Sequence, residues 1–257
     1  MKIATFNINN IKKRLPNLLA WLERAQPDIV CLQEIRAEQR DFPESDLKTL
    51  GYGAVWHGER SWNGVAILAK GTDPVLTRIG LPGNADDHQA RYIEAAVKGI
   101  LVASIYLPNG NPQPGPKFDY KLAWFERLIR HADALLAAKA PVVLAGDFNV
   151  VPTPQDIYHT KSLDHNALIQ PASRAAFASL LAKGWTDSLR RLQPEGSLWT
   201  FWDYERGRWP ADKGMRLDHL LLSPGVSDRL VDGGVDRWVR GEPDASDHAP
   251  AWILLDH

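Results

Sequence analysis

Five polar segments in this chain sit where apolar runs end or begin. Asn7 follows Ile3–Phe6, Gln33-Glu34 follows Ile29–Leu32, and Gly146-Asp147-Phe148-Asn149 follows Val142–Ala145. Arg216-Leu217-Asp218-His219 opens another run, and Ser246-Asp247-His248-Ala249-Pro250 precedes Trp252–Leu255. A carboxylate at a strand end is held rigidly and points into a crevice. Several that converge make an oxygen-rich site suited to Mg²⁺, which takes carboxylates, waters and substrate phosphates. A histidine flanked by aspartates is the pattern of an oriented imidazole: base, ligand or phosphate contact. Each segment alone also has a plainer reading. Glu34 reads as a solvated strand end, Asn7 as a residue bonding backbone in a turn, Gly-Asp-Phe-Asn as a glycine turn, and Ser-Asp-His as a cap.

The elements that must position these groups are short apolar runs alternating with helical patterns. Strands are expected at Lys2–Asn9, Asp28–Gln33, Gly64–Ala69, Arg91–Val97, Leu101–Leu107 and Pro141–Ala145. Further strands are expected at Trp199–Tyr204, Leu217–Leu222, Val235–Val239 and Ala251–Leu255. Leu15, Leu18, Leu19 and Leu22 make one helix face that stops at Gln26-Pro27. Phe118, Leu122, Phe125, Ile129, Ala132 and Leu136 make a longer stripe after Pro116, which suits a first helical turn. Helices are also expected at Ser173–Leu181 and Asp187–Leu192. Strands with helices between only some of them predict a layered α/β fold with mixed sheets. No low-complexity linker divides the chain, so one domain over residues 1–257 is expected.

With 257 residues, 44% hydrophobic and 24% charged, the chain is ordinary globular material and needs no disulfide for its core. Its formal charge of −1 gives no sign of a generally basic nucleic-acid binder. Cys31, the one cysteine, lies in the run Ile29-Val30-Cys31-Leu32 and reads as buried. No apolar stretch approaches membrane-spanning length and the N-terminus alternates like a strand, so a cytoplasmic location is expected.

Taken as an ordered series, the segments resemble the exonuclease III/AP endonuclease branch of the endonuclease/exonuclease/phosphatase superfamily. The series runs through Lys2–Asn7, Cys31–Glu34, Trp62–Ile67, Arg91–Glu94, Tyr106–Gly110, Lys117–Leu122, Gly146–Asn149, Arg216–His219 and Ser246–Pro250. The resemblance implies a four-layer α/β sandwich of two packed mixed β-sheets flanked by helices. It also implies a Mg²⁺-dependent phosphodiesterase site, with Mn²⁺ as a substitute. By position, Glu34 resembles the principal metal ligand, Asn7 lies beside metal and phosphate, and Asp247 falls in or next to the metal shell. Asp147 and Asn149 resemble the pair that activates the attacking water. Tyr106 resembles a tyrosine that bonds a phosphate oxygen, and His248 the imidazole on the scissile phosphate, oriented by Asp218.

The implied substrate is double-stranded DNA with abasic sites or 3′ ends, cut by a monomer as a 3′-to-5′ exonuclease, AP endonuclease and 3′-phosphatase. Leu198–Tyr204 resembles the segment that lines a pocket for a flipped-out abasic sugar, which makes Phe201, Trp202 and Leu217 the pocket candidates. Met215 stands where some relatives have a bulky aromatic, and Asn9 where some have an aspartate. Lys121, on the helix start shared with Lys117, and Arg216, in a run holding four basic residues against one acid from Arg206 to Arg216, suit a phosphate backbone. The alternatives are a same-fold phosphodiesterase acting on RNA or a small phosphoester, and a non-catalytic DNA-binding relative.

Overall fold

The computed structural model describes residues 1–158, 163 and 165–256. One sheet has the order β11-β12-β1-β2-β4-β3. Its strands are β1 (Lys2–Asn7), β2 (Ile29–Gln33), β3 (Tyr52–His57), β4 (Val65–Lys70), β11 (Leu230–Val235) and β12 (Ala251–Leu255). The other has the order β5-β6-β7-β8-β10-β9. It comprises β5 (Val75–Ile79), β6 (Tyr92–Val97), β7 (Ile100–Tyr106), β8 (Val142–Asp147), β9 (Thr186–Asp187) and β10 (Asp218–Leu222). Each sheet has one parallel pair at its centre, β1–β2 and β7–β8, with antiparallel neighbours outside it.

Period-two alternation sorts the side chains into layers. Ile3, Ile29, Cys31, Val65, Ile67, Ile93, Val102, Val143 and Leu220 fill the space between the sheets. Their sequence neighbours Ala4, Val30, Leu32 and Leu68 face outward and are covered by Leu18, Trp21 and Leu22 of α1 (Leu15–Ala25). Ala103, Ile105 and Leu144 are covered by Trp124, Phe125 and Leu128 of α3 (Pro116–Ala137) and by Phe177 and Leu180 of α4 (Pro171–Ala182). The four layers are therefore helix, sheet, sheet, helix. Both faces of the central strands are covered, which is why their sequences read as unbroken apolar runs. The minor helices are α2 (Glu44–Thr49), α5 (Ser188–Leu192) and α6 (Pro224–Ser227). Among the described residues no helix is long and apolar enough to cross a membrane.

Two expected strands differ. Trp199–Tyr204 is not a strand; it threads between two segments. Thr200 N and Phe201 N both donate to Met215 O at 2.8 and 3.0 Å, while Trp202 N donates to Asp247 O at 2.8 Å. Switching partners within three residues prevents a ladder. Val235–Val239 is likewise not a strand: β11 ends at Val235, and Arg237–Gly241 is a 3-10 turn. The residues that pair with β12 are Leu230–Val235, where Gly233 fits tightly because a Cβ there would stand 2.9 Å from Trp252 O.

Candidate active site

The parallel pairs of the two sheets end at one edge. Asn7 closes β1, Glu34 follows β2, Tyr106 closes β7 and Asp147 closes β8. Asp218 opens β10 directly opposite Asp147, and Asp247-His248 lead into β12 beside β1. Asn7 Nδ2 donates to both Glu34 Oε1 and Asp147 Oδ2, each at 3.0 Å, so one amide nitrogen joins carboxylates from the two sheets. Tyr106 OH donates to Glu34 Oε1 at 2.9 Å. Asn149 Nδ2 donates to Leu107 O at 2.9 Å and to Asp147 Oδ2 at 3.3 Å, and its backbone N donates to Asp147 Oδ1 at 2.8 Å. His248 Nδ1 lies 2.7 Å from Asp218 Oδ2, and its Nε2 faces Asp147 Oδ2 at 3.9 Å. Asp247 Oδ1 accepts from Asn9 Nδ2 at 2.9 Å.

The backbone is bent to make this arrangement. Glu34 and Asn149 adopt φ of +49° and +46°, left-handed values that cost a non-glycine residue energy and turn each side chain back over its strand end. Gly146, read above as permitting a turn, lies inside β8. A Cβ there would stand 2.0 Å from Ile105 O. Glycine is required because β7 and β8 approach closely just below Asp147. Beneath the site a buried polar chain joins the sheets: Thr5 Oγ1 donates to Gln33 Oε1 at 3.2 Å and Gln33 Nε2 to Ser104 Oγ at 3.1 Å.

Burial raises the cost of each charge, and partners decide which survive. Burial pulls the His248 imidazole down, but the Asp218 carboxylate at its Nδ1 outweighs this and lifts it to about 10. The charged form of His248 is thus favoured, with Nδ1 on Asp218 and Nε2 toward Asp147. Burial pushes the Asp147 carboxyl up to about 7, with nearby Asp218 and Glu34 adding to the rise and His248 opposing it. Tyr106 is raised by burial and Glu34 and stays a phenol. One Asp218 oxygen, Oδ1, is buried without a partner. Among the described residues no three His, Cys, Asp or Glu side chains form a closed metal cage. The donor chemistry instead suits a hard, partly hydrated cation: carboxylate oxygens of Glu34, Asp147 and Asp247 gathered at one sheet edge.

The remaining expected residues are placed differently. Phe201 packs edge-on against the His248 ring, centroids 5.0 Å apart, and with Met215, Tyr158, Leu163, Leu168 and Asn109 lines a cavity of about 360 Å³. Arg206, Arg208 and Lys213 also line it. Leu217 is buried behind that wall, and Trp202 is wholly buried, with Nε1 donating to Asp212 Oδ1 at 3.0 Å. Neither lines the cavity. Lys121 is fully buried; its Nζ donates to Asn109 O at 3.1 Å and to Asn149 O, while Lys117 is exposed. Lys121 therefore braces the Asn149 loop from behind rather than facing a backbone phosphate. Arg216 is 1% exposed and is held by Asp156 and Asp187 in the interior, so it cannot reach DNA. Burial takes Lys121 and Arg216 out of the basic pattern expected to face a phosphate backbone.

Arg36, not among the expected residues, donates from Nε to Glu34 Oε2 at 3.1 Å. An opposite charge two residues beyond a strand-end carboxylate was the available signal.

Two packed sheets that bring bridged carboxylates and an Asp-held imidazole cation to one edge define a hydrolase built for a phosphoester. The chain belongs to the endonuclease/exonuclease/phosphatase family, whose model matches residues 4–248. Within that family of divalent-metal-dependent enzymes it is a hydrolytic nuclease of the exonuclease III/AP endonuclease branch. It is 32% identical to the exodeoxyribonuclease III of Haemophilus influenzae, covering 98% of each chain. It superimposes on the 3′-5′ exonuclease NExo of Neisseria meningitidis with a TM-score of 0.96 at 37% identity over 100% of both chains. A second structure, the 3′ phosphatase NExo from Neisseria bound to a product DNA hairpin, matches equally well, with a TM-score of 0.96. An AP endonuclease of Archaeoglobus fulgidus matches with a TM-score of 0.95 at 35% identity over 100% of both chains.

Proposed function

We propose that this chain hydrolyses phosphoester bonds of double-stranded DNA at 3′ ends and abasic sites, using Mg²⁺ or Mn²⁺, as a monomeric single domain over residues 1–257. The observation that carries the reading is the Asn7 amide joining Glu34 to Asp147 beside the Asp218-held His248. Glu34 would hold the metal, joined by Asn7 once its amide oxygen, which here accepts from Asn9 N, turns inward, and Asp247 stands behind them through Asn9. A bound divalent ion supplies charge neutralisation at the phosphoryl oxygens. His248 Nε2–H donates to those oxygens, joined by the Tyr106 hydroxyl once its single proton turns from Glu34 Oε1 to the phosphate, and both bonds strengthen as charge builds in the transition state. The attacking water gives its proton to Asp147, whose elevated pKa of about 7 matches a base working near neutrality. Asn149 holds that carboxylate through two donors. The phosphorus–oxygen bond opposite the water breaks, and its electron pair leaves on the departing oxygen.

The cavity beside His248 supports recognition of a small extrahelical group. Phe201 and Met215 give it an apolar wall, against which a sugar without a base would pack. Removal of a 3′-phosphate uses the same machinery with a different leaving group, and the Neisseria relative at 37% identity is a 3′ phosphatase. The decisive experiment is a matched panel of abasic duplex, recessed 3′ end, 3′-phosphate end and RNA/DNA hybrid, each with Mg²⁺ or EDTA. Metal-supported cleavage of the first three is expected. Binding of abasic duplex with no cleavage under Mg²⁺ would refute the enzyme reading, and preference for the hybrid would move the substrate to RNA.

A further inference from the structure

The two oxygens of Glu34 look in different directions. Oε1 accepts from Asn7 and Tyr106 inside the site, whereas Oε2 is taken by Arg36, through Nε at 3.1 Å and through a terminal guanidinium nitrogen at 2.5 Å. This contact is built by the backbone. Glu34 and Arg36 both have left-handed φ, +49° and +47°, and the bend is pinned to the loop before β4 by Ile35 N to Gly64 O at 3.2 Å and Arg36 N to Asn63 O at 2.9 Å. The guanidinium also lies 4.6 Å from the centre of the Trp62 ring. Trp62 is 68% exposed, the most exposed of the large hydrophobic side chains described. A continuous stack, Glu34–Arg36–Trp62, thus runs from the metal-type ligand to the surface.

A guanidinium on a carboxylate oxygen occupies ground that a cation bound to that carboxylate would share. A divalent ion at Glu34 meets a fixed positive charge nearby, and the two repel. Arginine has an equally good partner in a phosphate, and an exposed indole is a stacking platform for a base or sugar face. We propose that Arg36 is a positioning residue that couples metal binding to DNA binding. In the free enzyme it neutralises Glu34 and weakens metal capture. When DNA arrives, Trp62 stacks on the nucleic acid, and the guanidinium transfers to a backbone phosphate. Glu34 Oε2 is then released to the metal. Coupling of this kind is reciprocal, so metal must tighten DNA as DNA tightens metal. The proposal rests on the metal-dependent nuclease reading above.

The test is calorimetric titration of MnCl₂ into the DNA-free protein and into protein saturated with a recessed-3′ duplex whose terminal linkages are phosphorothioates. Wild type, Arg36→Gln, Arg36→Lys and Trp62→Ala are compared, with melting curves to confirm folding. Arg36→Gln is expected to bind Mn²⁺ about tenfold more tightly than wild type without DNA, on the scale of one removed like charge. Its affinity gain on adding DNA should fall to near onefold. Arg36→Lys should keep the coupling, and Trp62→Ala should weaken DNA binding in EDTA while leaving DNA-free Mn²⁺ affinity within twofold. Unchanged or weaker Mn²⁺ binding by folded Arg36→Gln overturns the proposal and leaves the nuclease reading intact. No Mn²⁺ binding by wild type or Arg36→Gln, with DNA or without, overturns the metal reading and the proposal with it.

Discussion

Arg216 gives the sharpest separation between a structural and a DNA-binding role for a basic residue beside the site. Its guanidinium forks onto Asp156, Nε to Oδ1 at 2.8 Å and NH2 to Oδ2 at 3.2 Å, and its third nitrogen reaches both Asp187 oxygens at 2.9 and 2.7 Å. Arg190 is a second cation on Asp156, at 2.6 Å. Side-chain exposure is 1% for Arg216 and 0% for Asp156, so solvent screens little of this. Arg216→Met fills similar volume but takes the shared cation from two carboxylates, leaving the wholly buried Asp156 with Arg190 and Thr153, and Asp187 with the backbone N–H of Arg190. Losing one partner of a buried pair costs about 3–5 kcal/mol. At roughly 2–4 °C per kcal/mol for a domain of this size, melting should fall by about 6–20 °C. The deficit also has a pH signature. Burial would raise Asp156, but Arg216 and its neighbours hold it below the usual carboxylate range. That stabilisation is present above the unfolded-state carboxylate pKa and is lost as pH falls through the lower folded value. The gap between wild type and variant should therefore be full at pH 7 and narrow as the medium is acidified toward pH 3. Urea unfolding at several pH values measures it, alongside DNA affinity at several salt concentrations. An unchanged urea midpoint with a shallower salt slope would refute the buried-cluster reasoning and return Arg216 to the DNA.

Glu34→Gln should remove metal-supported cleavage by about a hundredfold or more while leaving the melting temperature within a few degrees; single-turnover assays and calorimetry check it. Asp218→Asn, which takes the partner from His248 Nδ1, should lower kcat by about 10²–10⁴ with little change in KM, read from steady-state kinetics. Lys121→Met should lower turnover by loosening the Asn149 loop, on the scale of about 1–3 kcal/mol for lost buried hydrogen bonds, and leave the salt dependence of DNA affinity unaltered. Phe201→Ala should impair abasic-site incision more than cleavage at a recessed 3′ end; equal loss on both substrates counts against Phe201 as a pocket wall.

The sequence made the covered centre of this fold legible and left its margins dark. β1, β2, β4, β6, β7, β8, β10 and β12 were expected within a few residues of their bounds, because their apolar runs are long and, β12 with its exposed Leu254 apart, both faces are largely packed. The strands missed or displaced are β3, β5, β9 and β11, the four sheet edges. β5 is exposed along its whole length, and β11 carries Asp232-Gly233-Gly234, so neither has the pattern that marks a buried strand. The polar cluster at the sheet edge was legible as an ordered series resembling a family, since each strand-end segment alone also had a plainer reading. Phe201 was legible as an aromatic, but not its contact with His248. Burial was the hidden variable for Arg216, Lys121 and Trp202. A basic residue in a basic run looks exposed until the carboxylates that receive it, here Asp156 and Asp187 from distant segments, are known to lie beside it.

Asn7 of one sheet holds Asp147 of the other, so the site works as a caliper whose jaw opening is the thickness of the sandwich. Ile3, Val65, Val143 and Leu220 set that thickness without touching the reacting atoms. An interior methyl group added or removed there alters the reach between Glu34 and Asp147. Screens for heat resistance and screens for catalytic rate will therefore select many of the same interior positions. Repacking of this layer should be scored on both traits together.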